Sequence, residues 1–101
     1  MSKYRQAARI DDNQKEIVKY LRSLPGVSVA VSHDDLLVGY EFKTFWFEVK
    51  NPETCFLADG ITFKKGAVKE SQTKIRRTWQ GHYNIVTSLE QIIEDINYDY
   101  R

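Results

Sequence analysis

The sequence predicts a single α/β domain of the α+β kind, a mixed sheet with helices in the order α-β-β-β-α-β-α. Three observations carry that prediction. A chain of 101 residues with 42% hydrophobic and 13% aromatic side chains has material for one modest core. Three strand-like segments follow one another within residues 27–50, the last two close enough to form a hairpin. A helical segment then separates them from a fourth strand, and a strand–helix–strand crossover added to a hairpin makes the sheet mixed.

The first helix is predicted over about 12–24, with Ile17, Val18, Leu21 and Leu24 as its apolar stripe and Pro25-Gly26 as its stop. Strands are expected at 27–31, 35–40 and 44–50, with Glu41-Phe42-Lys43 as the hairpin connection. Pro52, Gly60 and Gly66 mark 51–67 as irregular, with a short extended piece at 61–63. The second helix fits 68–80, its inward stripe being Val68, Gln72, Ile75 and Trp79. Gly81 breaks it, and 83–87 reads as the fourth strand. Ser88 and Gln91 form a capping-box pattern ahead of Leu89, Ile92, Ile93 and Ile96, the last helix.

Composition excludes several classes. One cysteine, Cys55, allows neither an internal disulfide nor a zinc site built on several thiolates, and it suggests a reducing, intracellular, cytoplasmic setting. The longest run without Asp, Glu, Lys or Arg is twelve residues, 78–89, against the ~20 that span a bilayer. The first residues lack the apolar stretch of a secretion signal. The formal charge of +1 by itself suggests no nucleic acid, yet it is an average. Residues 64–77 carry Lys64, Lys65, Lys69, Lys74, Arg76 and Arg77 against Glu70 alone, and 1–22 carry a second basic excess that includes Lys15, Lys19 and Arg22. Residues 90–99 reverse the sign with Glu90, Glu94, Asp95 and Asp99. Each such run is either a solvated helix face or an electrostatic footprint.

The strongest chemical pattern is Asp35-Leu-Leu-Val-Gly followed by Phe45-Trp-Phe-Glu48-Val-Lys50. Alternate residues of a strand share a face, so Glu48 and Lys50 point the same way, about 6.6 Å apart along it. The hairpin brings Asp35 beside them. Two carboxylates and the Val49 carbonyl are hard oxygen donors of the kind Mg²⁺ prefers. Such an ion suits phosphate hydrolysis, and Lys50 would hold the attacking water or offset the developing negative charge. A similar triplet, Glu41-Phe42-Lys43, falls in the turn and reads as a chance match. Gln72 interrupts an apolar stripe, and Gln14 precedes Ile17 and Val18 on the inward face of the first helix. Each amide is expected either to meet backbone groups at a helix end or to orient a water or phosphate at the carboxylates.

These segments, together with Arg9-Ile-Asp11-Asp-Asn13-Gln14, Asp34-Asp35, Ser71-Gln72 and Trp79-Gln-Gly81, resemble the VRR-NUC (virus-type replication-repair nuclease) group. That group belongs to the PD-(D/E)xK nuclease superfamily and is frequent in phages. The resemblance runs from about 9 to 93 and implies the restriction-endonuclease-like αβββαβ core, here with an added C-terminal helix. It implies Asp35 and Glu48 as metal ligands with Val49, Lys50 as the ExK lysine, Gln72 as the helix glutamine, and Gln14 where relatives carry Glu or Gln. Asp11 and Asn13 would then border the site. Asp34 departs from the pattern, standing where relatives usually have Pro. The implied activity is Mg²⁺-dependent (Mn²⁺ substituting) endonucleolytic cleavage of DNA in replication, repair or recombination. Branched DNA such as a Holliday junction is the implied target, cut by a homodimer. Lys15, Lys19, Arg22, Lys64, Lys65, Lys69, Lys74, Arg76 and Arg77 are the expected phosphate contacts. The rival expectation is a catalytically silent DNA-binding or protein-interaction module on the same fold. His33 reads as a surface turn histidine, His82 as structural and Cys55 as an inert thiol. Phe45, Trp46 and Phe47 are expected to fill the core rather than to stack on bases.

Overall fold

The computed structural model describes residues 2–32 and 35–100, with the side chains of the first helix described from Asn13 onward. His33 and Asp34, and the side chain of Asp11, therefore lie outside what is described. The elements are α1 (Ser2–Ser23), β1 (Val27–Ser32), β2 (Asp35–Tyr40), β3 (Lys43–Val49), α2 (Pro52–Cys55), α3 (Glu70–Thr78), β4 (Tyr83–Val86) and α4 (Leu89–Ile96). One four-stranded sheet runs β1-β2-β3-β4, antiparallel across the first two junctions and parallel across β3 and β4. The chain is a mixed α/β fold, as expected.

Strand alternation divides the sheet into two faces. On one face Leu36, Val38, Phe47 and Val86 are buried, covered by Ile17, Val18 and Leu21 of α1 and by Ile92 and Ile96 of α4. Full burial of each such aliphatic side chain stabilises the fold by roughly 1.5–3 kcal/mol. The opposite face carries the polar chemistry.

Four local expectations need correction. α1 begins ten residues earlier than its apolar stripe announced. The hairpin turn holds two residues, not three: Lys43 pairs with Tyr40, and Glu41 and Phe42 take left-handed φ values of 53° and 63°. That is the double positive φ of a tight hairpin turn, a geometry that favours Asn-Gly, and Phe42 is wholly exposed. The segment 51–67 keeps an irregular course, with Phe63 of the expected extended piece in a bridge, but it opens on an unexpected short helix. Asn51 Oδ1 accepts from the Glu53 N–H at 2.9 Å and Pro52 opens α2. Beyond it Phe56 and Phe63 bridge and stack at 5.1 Å, while Asp59 accepts from the Ile61 and Thr62 amides. Finally, α3 ends at Thr78. Trp79 is extended (φ −69°, ψ 131°) and leaves the predicted stripe.

α4 begins as its sequence suggests, with Ser88 Oγ accepting from the Gln91 N–H at 3.4 Å. Gln91 Oε1 reaches back one residue further than a standard capping box, to the Thr87 N–H at 2.6 Å. His82 ties this side together. Its Nδ1 accepts from the Trp46 N–H at 3.1 Å, leaving Nε2–H to donate to Asp95 at 3.0 Å. Among the described residues no helix is long and apolar enough to cross a membrane.

Candidate active site

Paired residues on neighbouring strands share a face, so the register lays out two adjacent rows across the sheet. Ser32, Asp35, Glu48 and Ile85 form one; Ala30, Leu37, Trp46 and Tyr83 form the next. The first holds both candidate carboxylates, opposite each other on β2 and β3. The two-residue turn sets this register, since the expected three-residue turn would have paired Asp35 with Val49. Asp35 is half-buried, and Glu48 is only 1% exposed.

A charge so buried is tolerated only when paired and hydrogen-bonded. Lys50 supplies the pairing, with Nζ 3.5 Å from Glu48 Oε1. Gln72 supplies the hydrogen bond, donating from Nε2 to the same oxygen. The other end of the amide is also engaged: Gln72 Oε1 accepts from the Lys69 N–H at 3.0 Å, at the start of α3. The helix-end role weighed for this residue holds, and its other end meets the carboxylate itself. It caps a helix and it grips the carboxylate.

The Val49 carbonyl has a direction fixed by alternation. The Trp46 N–H and the Lys50 N–H, which donates to Val86 O at 2.8 Å, both face β4. The intervening Val49 carbonyl accordingly faces β2, whose first residue is Asp35. Two carboxylates and one carbonyl thus converge on one end of the β2–β3 pair. Among the described residues there is no group of three or more His, Cys, Asp or Glu that could hold a metal. The three oxygens at this end are all hard donors and could hold Mg²⁺, which binds proteins through one or two carboxylates and keeps several waters.

Tyr83 belongs to the site and sequence reasoning missed it. Its phenol pKa is pushed up to about 12, first by burial and then by the negative charge of Glu48 and Asp35, with Arg76 pulling the other way. Only the β3–β4 register puts it there, and no local pattern reveals that register. Cys55 sits buried at the end of α2, its thiol pushed up by burial and drawn partly back by its own backbone, Lys50 and Lys64. That suits the inert role expected of it.

The remaining expected residues are distributed less tightly. Gln14 is half-buried on α1, one turn before the Ile17 and Val18 that cover the core face. Lys15, Lys19 and Arg22 are exposed on that same helix, and Arg22 also donates to Val29 O at 3.1 Å. Lys64, Lys65, Lys69, Lys74, Arg76 and Arg77 are all exposed. They lie on α3 and the segment leading into it, which Gln72 fixes to the carboxylate face. The structure does not bring the two basic groups onto one face. Trp46 corrects a further expectation: unlike Phe47 it points away from the core and meets the edges of Trp79 and Tyr83. No protein-family model, curated protein or solved structure matches the chain.

Proposed function

We propose that this protein is a Mg²⁺-dependent nuclease that hydrolyses phosphodiester bonds of DNA, a relative of the VRR-NUC group. The observation that carries the reading is the facing pair Asp35 and Glu48, with Lys50 beside the buried Glu48 carboxylate and Gln72 holding it. A protein without chemistry gains nothing from placing two acids opposite each other, since directly opposed like charges destabilise a sheet.

Asp35, Glu48 and the Val49 carbonyl would hold the ion, with Mn²⁺ as a substitute. When bound, the ion supplies Lewis-acid polarisation of the scissile phosphate and the attacking water. The protein's own groups do the rest. Lys50 sets a positive charge beside the reacting centre, where negative charge grows on the phosphoryl oxygens. Gln72 restricts Glu48 to one orientation. Tyr83, neutral at physiological pH, can donate a hydrogen bond without adding a third negative charge. The exposed cations of α3 and of 64–69 on the same side would position the DNA backbone without reading sequence. A chain with so little surface for base reading suits a structure-selective enzyme acting on branched DNA, and a homodimer would place two such sites for paired cuts.

The test is incubation of junction, flap and linear DNA with Mg²⁺ or Mn²⁺, comparing wild type with Asp35→Asn, checked for folding by circular dichroism. Cleavage by wild type and its loss in the folded variant is the expected result. Binding of DNA by both proteins without any cutting would instead identify a silent binding module and end the nuclease reading.

A further inference from the structure

The second row on the carboxylate face gives only Tyr83 to the proposed chemistry, yet it is the more exposed of the two. Leu37 and Trp79 are exposed for large apolar residues, Trp79 to 54%, and Val31 at the neighbouring edge is exposed as well. Together with Trp46 and Asp35 they line a groove of ≈ 370 Å³. Clustered apolar exposure of this kind marks a binding surface. Its aromatic wall is built with care. Trp79 meets Trp46 at 5.1 Å and 89°, and Trp46 meets Tyr83 at 4.7 Å and 78°. A Cβ at position 81 would stand 2.9 Å from Trp79 Nε1, so Gly81 leaves the room in which the indole lies. Burial does not explain this placement, since half of the indole remains in water.

We propose that this groove seats a nucleobase of a single or frayed DNA strand, stacked on the Trp79–Trp46 wall with Asp35 at its end. The inference rests on the DNA reading above and names the part of the substrate that reading left open. Two features select this occupant. Stacking is available to every base, because each presents a flat π-face, and so it needs no sequence-reading groups. The approach is cationic: Lys74, Arg76 and Arg77 lie on the helix that delivers Trp79, and they suit the phosphates flanking such a base. Successive same-face rows are about 6.8 Å apart along a strand, so a base on the aromatic row leaves its phosphate near the carboxylate row. A fully paired duplex keeps its bases inside the stack and cannot enter. Selectivity for unpaired positions in branched DNA then follows from the groove itself.

The experiment measures binding in EDTA, where cutting does not interfere, using labelled dT15 and an abasic-spacer 15-mer of the same charge. Wild type is expected to bind dT15 about five- to 150-fold more tightly, the range produced by stacking one base. Trp79→Ala should abolish that preference, Trp79→Phe should retain part of it, and Gly81→Ala should weaken it by displacing the indole. In a Trp46→Phe background, quenching of the remaining tryptophan by dT15 reports contact directly. Equal binding of both oligonucleotides by wild type overturns the base site while leaving the DNA reading intact. Binding of neither removes the DNA reading as well. If Trp79→Ala turns a sedimenting dimer into a monomer with no change in base preference, the groove is an interface between copies and the proposal is wrong.

Discussion

Removing the Lys50 ammonium should cost this small domain a large part of its stability, because it breaks the ion pair of a buried carboxylate. At the observed 3.5 Å, Coulomb attraction at an effective dielectric of about 20 comes to about 4.7 kcal/mol. Desolvation of Lys50, whose side chain keeps 15% exposure, offsets part of that. Breaking a buried pair by deleting one partner typically costs about 3–5 kcal/mol, and the residual exposure favours the lower end. Lys50→Ala is therefore expected to lower unfolding free energy by about 3 kcal/mol, or roughly 12–24 °C in Tm for a domain of this size. Urea melts followed by circular dichroism measure it. Replacing both partners, as Glu48→Gln with Lys50→Met, should recover at least half of the loss. A midpoint equal to wild type for Lys50→Ala, or a double variant no better than the single one, would refute the reasoning.

Gln72→Ala removes both a helix-starting acceptor and the donor to Glu48, and should cost about 2–4 kcal/mol in the same urea melts. Ultraviolet titration of the tyrosines should show one phenol ionising near pH 12 that disappears in Tyr83→Phe, and Asp35→Asn should move it down. Any stability tied to that phenol is present below its unfolded pKa and lost as pH rises through about 12. Exchanging Glu41-Phe42 for Asn-Gly relieves two left-handed side-chain residues and should raise stability by about 1 kcal/mol in thermal melts. Glu90→Ala with Glu94→Ala should change DNA affinity by less than about twofold when measured at low salt, because α4 covers the opposite face of the sheet; a tenfold gain would place that helix against the DNA.

Much of the fold is written locally. β2 alternates Leu36 and Val38 inward against Leu37 outward, and a hairpin brings Asp35 to the end of β3, but only the unexpected two-residue turn sets it opposite Glu48. The lone amide on an apolar stripe made Gln72 conspicuous. What escaped depends on long-range register or on segments too short for periodicity. Trp79 has helical spacing from Ile75, but the helix stops one residue before it. Trp46 sits among phenylalanines and reads as core, whereas strand alternation turns it to the other face. Tyr83 joins the carboxylates only through parallel pairing with β3. The four residues of α2 are below one apolar period, although Asn51-Pro52 is a legible helix start.

The two-ended amide of Gln72 makes the candidate site a reporter of its own assembly. One side chain closes the first turn of α3 and fixes the carboxylate on β3, so neither can loosen alone. The register of α3 against the sheet is thereby specified to the residue, since a slip by one would present Ser71 or Thr73, too short to reach both partners. The backbone amide of Lys69, belonging to an exposed residue, should exchange with solvent only as fast as Glu48 loses its grip. Hydrogen exchange at that single amide would follow the integrity of a site more than twenty residues away in sequence.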